Sequence, residues 1–552
     1  MKKITWLDIN SSYSHSSAAL PFIEAQQKKH STKYQWETVK GTLKSNIPQI
    51  ISDLIKQKPD IIAYTSWLFT CDYLHQILSR IKILLPNTII IGGGPEYLGD
   101  NKEFLKQHQY VDYVVRGEGE ESFYALLKHI YTTPELKCTV QGACYIAPNG
   151  EYIDNGISKV YDFTSLILPE ESQFFDWEKP FVQLETTRGC FNSCKFCVSG
   201  NDKPLRSQPL NLVAQRVATI HQKGIKEVRI LDRTFNSNTN RALEMLSIFC
   251  KYPDINFHLE LHPALLSEKV KQAITQVPKN VLHVEAGVQS LDEQVLNASG
   301  RKGERDKALD GLKFLCALNN LETHADLIAG LPYYSLTQIY SDVNTLANIN
   351  AGEIQLESLK LLPGTEMRLK SAELGIRYSP LSPYEVLETD WITTQELQEA
   401  MALSRILDIY YNHSVWQNYF KNLLQQEIEF AKTITLYFVE KEYHTQIFSR
   451  ERQGIILYEF IEKYYHTYLN TLKIEWILTG LSFNKLPNIQ INKITQEELP
   501  NLVVINGEQT KEMRLYSIEL DDIMHVFGYD RSIKQDKPIF YAIFQIISKA
   551  NV

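Results

Sequence analysis

Three of the eight cysteines fall within eight consecutive positions, in the run Arg188-Gly189-Cys190-Phe191-Asn192-Ser193-Cys194-Lys195-Phe196-Cys197. Thiolates are the usual protein ligands of iron–sulfur clusters. Cysteines spaced this way let one loop wrap a single cluster and supply three of its four corners. No fourth ligand lies nearby in the sequence, so one iron would stay open to bind a substrate molecule. Two blander readings compete. A structural zinc site normally takes four protein ligands in two pairs, and no second Cys or Cys/His pair lies within a finger-like distance. The other is three unrelated core cysteines. Cys71, Cys138, Cys144, Cys250 and Cys316 are scattered and read as core residues.

The elements around this loop predict where it sits. Over residues 178–375, strand-like runs (FVQLETT, EVRILD, INFHLEL, LHVEAGV, THADLIAG, EIQLESLKLL) alternate with helical stretches such as LNLVAQRVATIHQKG and RALEMLSIFCKY. Six β-α repeats predict a barrel or partial barrel, with the cysteine loop directly after its first strand. Polar residues gather at the strand ends: Asp232 and Arg233, Glu260 and His262, Gln289 and Ser290, and Asp326. In a parallel β/α barrel that rim is where chemistry occurs.

Residues 1–135 show a second β-α-β-α rhythm. ITWLDI, PDIIAYTSW and NTIIIGGG read as strands, with a helix from Ala18 to Lys29 and another over YLHQILSRIKILL. This predicts a parallel sheet covered by helices, which binds ligands at the carboxyl ends of its strands. Asn10 to His15, Ser66, Trp67, Gly92, Gly93, Gly94, Pro95 and Glu96 fall there. Glycines permit close backbone approach to a large flat ligand. The first βα turn lacks Gly-x-Gly-x-x-Gly, which argues against a dinucleotide. Residues 136–177 (APNGEY, PEES) read as a linker. Residues 376–552 are rich in Tyr and Phe and read as a mostly helical domain whose aromatics form its core. RLYSIELD and PIFYAIFQII, near the end, read as strands or a closing helix.

The net charge of −8 over 552 residues lacks the basic signature of a nucleic-acid binder. MKKITWLDIN passes straight into a strand-like run, without the apolar stretch and cleavage site of a signal peptide. No window reaches about 18 uninterrupted apolar residues. The expectation is a cytoplasmic protein with no membrane span, whose clustered cysteines serve metal or redox chemistry rather than disulfides.

The pattern Cys-x-x-x-Cys-x-aromatic-Cys after a first barrel strand resembles the radical S-adenosylmethionine (SAM) superfamily signature. The resemblance implies a [4Fe–4S] cluster on Cys190, Cys194 and Cys197, with the amino and carboxylate groups of SAM on the fourth iron. It places Phe196 beside the adenine, and LPGT at 362–365 resembles the end of the sixth barrel strand. The family's Gly-Gly-Glu turn is replaced by Leu231-Asp232-Arg233-Thr234-Phe235-Asn236, which leaves the amine contact unassigned. Glu260 and His262 are candidates for the ribose or the substrate, Gln289 and Ser290 for the SAM carboxylate or ribose.

The N-terminal domain is similar to that of the cobalamin-binding subgroup, through PDIIAYTSW, TIIIGGGPEY and VDYVVRGEGE. Ser66 could bond the cofactor's lower face or tail. The Asp-x-His-x-x-Gly loop of free-standing cobalamin domains is absent, and His15 is either a cofactor or substrate contact or a turn residue. Together with LDRTFN and HADLIAGLP, these segments resemble a branch with its own C-terminal domain. The resemblance implies methyl transfer from methylcobalamin to an unactivated carbon, by way of a 5′-deoxyadenosyl radical. Cobalamin-dependent cyclisation, ring rearrangement or oxidation is the alternative; a non-catalytic corrinoid or iron–sulfur sensor is the alternative of another class. A methylthiotransferase would need three further N-terminal cysteines, where only Cys71 lies in the first 130 residues. The implied partners are a small-molecule or peptide substrate and a reductant such as flavodoxin or ferredoxin, with no nucleic acid and no membrane.

Overall fold

The run Lys2–Asn10 (β1) is buried over six consecutive residues, Ile4 to Ile9. Burial on both faces is the mark of a central strand in a helix-covered parallel sheet. In the computed structural model, which describes residues 1–30, 34–301, 303–494, 513–521, 523–530 and 537–545, β1 lies between β2 (Tyr34–Thr42) and β3 (Ile61–Thr65), followed by β4 (Ile89–Gly93) and β5 (Tyr113–Val115). These five strands are parallel. Because β1 has β2 on one side and β3 on the other, the chain switches direction across the sheet at β1. Its carboxyl end is therefore the expected ligand crevice.

Three local features depart from the sequence reading. Tyr34–Thr42 is an edge strand, half exposed along its length; its polar alternation (YQWETVKGT) hides it from a search for apolar runs. The stretch read as a linker contains β6 (Ala143–Ile146) and β7 (Tyr152–Asp154), an antiparallel hairpin that extends the same sheet. Its turn is built on Asn149-Gly150, with Gly150 at positive φ, a hairpin signal that the irregular composition masked. The helix expected over Ala18–Lys29 is two pieces, Ala19–Ala25 and Gln27–His30.

A second sheet follows. β8 (Val182–Leu184) leads through the two-residue strand β9 (Thr187–Arg188) into the cysteine loop, and β10 (Arg206–Ser207) pairs back on β9. Then come β11 (Glu227–Ile230), β12 (Asn256–Leu261), β13 (Leu282–Gln289), β14 (Leu321–Ala329) and β15 (Glu353–Ser358), in the order β15-β14-β13-β12-β11-β8. The ends do not close on each other, so this is a partial barrel of six strands. Burial alternates along β12 and β13. Phe257 stacks on Phe249 of the helix Thr239–Phe249 at 4.0 Å, so its face packs on the outer helices. His258 and Glu260 therefore take the opposite, concave face.

The chain divides into two compact units: Met1–Asp342 with Ile349–Gly352 and Leu356–Leu397, and Val343–Asn348 with Glu353–Gln355 and Gln398–Val552. Both sheets described so far lie essentially in the first. The second is helical over Gln417–Gln426, Phe430–Glu440, Arg450–Tyr464 and Leu469–Leu478. After two further short strands in the first unit, β16 (Ile376–Tyr378) and β17 (Val386–Thr389), the second ends in an antiparallel sheet of β18 (Asn492–Ile494), β19 (Met513–Leu520), β20 (Ile523–Asp530) and β21 (Phe540–Gln545). The sequence left strand or helix open for RLYSIELD and PIFYAIFQII; Met513–Leu520 and Phe540–Gln545 are strands, and the last two residues of the second run lie outside the described residues. The aromatics expected in the core are there: Trp416, Trp476, Tyr410, Phe420 and Phe430 are fully buried. Among the described residues no helix is long and apolar enough to cross a membrane.

Gly454 sits where a Cβ would lie 2.3 Å from the Trp476 ring and 2.8 Å from Trp416. Replacing glycine by alanine inside a helix ordinarily gains up to about 1 kcal/mol. Here overpacking, typically about 1–3 kcal/mol, outweighs it. Gly454→Ala is expected to lower the unfolding midpoint of the full chain by differential scanning fluorimetry; an unchanged or raised midpoint would show that the two indoles can part.

Candidate functional site

The cysteine loop is fastened before it reaches Cys190. Asp232, at the end of β11 and buried, accepts hydrogen bonds from the backbone N–H groups of Thr186 and Thr187 at 2.8 Å each, and from the Thr186 hydroxyl. Burial raises the Asp232 carboxyl, while these bonds oppose the rise. The segment that stands where the resemblance expects a glycine-rich SAM-amine turn thus anchors the first strand to the second. Asn236 of the same segment exchanges two 2.9 Å bonds with the backbone of His262, clamping the end of β12.

Beyond Arg188 the loop is tightly packed. A Cβ on Gly189 would lie 2.5 Å from the Asp202 carbonyl oxygen, and one on Gly200 2.4 Å from that of Cys194. The Lys195 N–H donates to Ser299 at 2.9 Å, and Met367 N–H donates to the Lys195 carbonyl at 2.9 Å. LPGT is therefore part of what props the loop, through Thr365, which caps the helix Glu366–Leu369. All eight cysteines are free thiols. Cys194 is buried, which raises its thiol, and the neighbouring Cys190 and Cys197 raise it further. Arg301, 3.8 Å from its sulfur, pulls it back down. Cys190 Sγ lies 3.8 Å from the Thr234 hydroxyl. Three soft donors brought together on one rigid loop, with a guanidinium to offset thiolate charge, suit an iron–sulfur cluster.

A cleft of about 380 Å³ joins this loop to the N-terminal sheet. Trp67, Gly92, Gly93 and Gly94 line it from one side, and Arg188, Gly189, Ser199 and Arg233 from the other. Its volume lies in the range of ligand sites. The N-terminal side is floored by glycines, with Gly117 and Gly119 adding to the triplet, and walled by Trp6, Phe22, Ile91 and Phe123. At Gly93 the nearest atoms to an added Cβ are 3.9 Å away, so that position is open; at Gly92 and Gly94 a Cβ would strike Tyr64 and Ser66 at 2.7 Å, so there only glycine fits. A flat, largely apolar macrocycle such as a corrin suits this glycine floor and these apolar walls.

Other residues singled out in the sequence are placed differently. Ser66 is wholly buried and does not line the cleft. Pro95 starts a short 3₁₀ turn, and Glu96 accepts a hydrogen bond from the Tyr384 hydroxyl, so neither faces the cleft. His15 lines an adjacent cleft with Asp8 and Asn10; its Nδ1 is 2.7 Å from the Ser12 hydroxyl and its ring meets Phe181 edge-on. That second cleft shares Ala18, Phe22 and Gln183 with the first. Phe196 is half-buried on the loop between Cys194 and Cys197. Glu260 lies 3.7 Å from Arg233, and burial pushes it up to about 7. Gln289 ends β13 at a bulge with φ +72°. The Ser290 hydroxyl is spent on Asp342 at 3.1 Å, where Tyr334 also bonds at 2.6 Å, so it ties the end of β13 to the helix that follows β14.

The residue whose role the sequence did not disclose is Arg188. Its guanidinium donates to Glu118 at 3.0 Å, to Glu120 at 2.5 Å and to Glu185 at 2.9 Å. Arg206 also holds Glu118, at 2.7 Å. Burial raises the Glu185 carboxyl despite Arg188, yet the carboxylates around Arg188 keep it firmly charged, and arginine does not deprotonate in proteins. The nearest signal was the segment VDYVVRGEGE, whose two glutamates receive the loop arginine.

Fold and site together define a radical SAM protein with an N-terminal B12-binding domain. Residues 184–346 match the radical SAM superfamily and residues 30–127 the B12-binding domain. The first brings a [4Fe–4S] cluster and SAM, the second cobalamin, to a chain that is a radical SAM enzyme. More particularly, residues 372–511 match a third family, described as a protein of unknown function (DUF4080). The chain is 25% identical over 338 residues to an uncharacterised methyltransferase, PH0819, of Pyrococcus horikoshii, covering 58% of this chain and 71% of that one. It is 22% identical over 368 residues to the cobalamin-dependent radical SAM methyltransferase TokK of Streptomyces tokunonensis, covering 59% of this chain but only 51% of that one. In fold it is similar to the cobalamin-dependent SAM radical enzyme OxsB with aqua-cobalamin bound: TM-score 0.62, 15% identity, 88% of this chain and 80% of that one.

Removing Arg188 would leave three part-buried carboxylates short of their shared cation. Breaking a buried ion pair from one side costs about 3–5 kcal/mol. Arg188→Met is expected to lower the full chain's stability to urea by several kcal/mol. A change below about 1 kcal/mol, the range of an exposed pair, would mean that the cluster is solvated and not an anchor.

Proposed function

We propose that this enzyme transfers a methyl group from a corrinoid to an unactivated carbon of its substrate. One observation carries the reading: the glycine-floored edge of the N-terminal sheet and the residues that run into Cys190 line a single cleft. When bound, the cluster and SAM supply a 5′-deoxyadenosyl radical that removes a substrate hydrogen atom, and methylcobalamin supplies the methyl group. The protein's part is to hold these groups and the substrate carbon in register and to keep water out.

Named residues divide that work. Cys190, Cys194 and Cys197 would hold the cluster, with Arg301 offsetting its charge, and Phe196 would pack on the adenine. Glu260, near neutrality because it is buried, can keep a proton and donate to a ribose or substrate oxygen, with Gln289 on the next strand. Trp67 and Gly92 to Gly94 would bed the corrin. The setting we propose is the cytoplasm, with a small-molecule or peptide substrate and a flavodoxin- or ferredoxin-like reductant. The methyltransferase names of PH0819 and TokK favour methyl transfer over other cobalamin-dependent radical chemistry.

Anaerobic reconstitution with iron, sulfide and hydroxocobalamin is expected to load about four irons and one cobalt per chain. Cys190→Ala, Cys194→Ala and Cys197→Ala should each abolish the cluster and cleavage of SAM to 5′-deoxyadenosine; retained cleavage overturns the assignment. With methyl-deuterated SAM, mass spectrometry of the product distinguishes methyl transfer, seen as incorporated label, from ring formation or oxidation without it. His15 lies in the adjoining cleft, so His15→Ala should retain the corrinoid; its loss would make His15 part of the cobalamin site.

A further inference from the structure

The partial barrel carries a second cluster of ligand-type side chains, far from the cysteine loop. His258 on β12, His283 on β13 and His324 on β14 bring one ring nitrogen each within 4.8 Å of one another. Strand register explains the convergence. His258 is directly opposite His283, and β14 places His324 opposite Glu285, two residues further along. The side chains of His258, His283 and Glu285 take the same face by the two-residue alternation of strands.

The ring geometry is that of convergence, not of stacking. The three ring pairs are 4.7, 5.6 and 4.5 Å apart with interplanar angles of 43°, 77° and 61°. The Nε2 atoms of His283 and His324 face each other directly. A proton can be shared by that one pair only; a metal ion can take one nitrogen from each of the three imidazoles. The outward nitrogen of His283 points to Glu322 at 3.5 Å, and His258 Nε2 lies 3.1 Å from Glu285. Metal-bound imidazoles characteristically hand their other nitrogen to a carboxylate, which fixes tautomer and orientation.

We propose that His258, His283 and His324 form a binding site for a divalent first-row transition metal of the zinc class, with Glu285 beside it. Zinc takes imidazole nitrogens at about 2.0–2.1 Å and is often held by three protein ligands with a fourth position open. His283 is the second residue of β13 and Gln289 its last, so roughly 20 Å of strand separates this site from the rim. The metal would staple the three central strands at the end of the barrel opposite the cysteine loop. It makes no use of the cluster or corrinoid and stands apart from the methyl-transfer reading.

The test uses tag-free full-length protein in which Cys190, Cys194 and Cys197 are all replaced by Ala, so that their thiolates cannot compete. After dialysis against chelator, titration calorimetry with zinc alone is expected to show about one equivalent bound per chain and a raised unfolding midpoint. The substitutions H283Q and H324Q, each added to that background, should weaken zinc binding by at least about tenfold, with the far-ultraviolet dichroism unchanged. In a second measurement that keeps the native cysteines, chain with its cluster reconstituted should hold the same zinc by elemental analysis. No saturable zinc site in either preparation, or equal zinc binding by the histidine variants, would overturn the proposal and leave the three rings as a proton-sharing packing cluster.

Discussion

The site depends on one buried cation. Arg188 precedes Cys190 by two residues and is held by carboxylates from two different places in the chain: Glu118 and Glu120 after β5, and Glu185 after β8. A guanidinium offers five donors in a fixed plane, and Arg188 uses them for four hydrogen bonds to three carboxylates, one more than the three donors of a lysine allow. All four residues line the cleft that the two sheets share, so the same interaction that orients the cysteine loop ties it to the N-terminal sheet across that cleft. Its price is desolvation, visible in the raised Glu185 carboxyl, and Arg206 shares the load by pairing with Glu118.

Around that anchor the loop is built by exclusion. Gly189, Gly200 and Gly300 each sit where a side chain would strike a carbonyl oxygen, at 2.5, 2.4 and 2.6 Å. Asp232 ties the backbone just upstream, and Met367, just past the LPGT turn, ties it downstream. Such rigidity suits a cluster that three cysteines of one loop would hold. The departure at LDRTFN, which in sequence looked like a missing contact, proves to be a structural brace through Asp232 and Asn236.

The concave face of the barrel is unusually rich in titratable groups. Glu260 near the end of β12 and Glu285 and Asp326 within β13 and β14 act on one another, and burial with like charge raises Asp326 well above the usual carboxylate range. Burial and a neighbouring imidazole lower His283 and take His324 down to about 4; His324 stands level with Glu285, and His283 two residues before it. The barrel thus has a polar interior layered along its length, with the cysteine loop at one end and the histidines at the other.

The sequence alone determined the local pieces. The cysteine spacing named the metal chemistry, and the alternating runs located the barrel strands to within a few residues, because periodicity and loop spacing are properties of neighbours in the chain. The polar edge strand Tyr34–Thr42 and the hairpin at Asn149-Gly150 escaped because their signals are weak or masked by composition. Only the tertiary structure decided which candidates meet. It put Gly92 to Gly94 opposite Arg188, turned Glu96 toward Tyr384 and Ser290 toward Asp342, and gathered His258, His283 and His324 from three strands. Those pairings follow from strand order and register. They join residues tens to hundreds of positions apart, and no local pattern in the chain encodes which side chains will share a face.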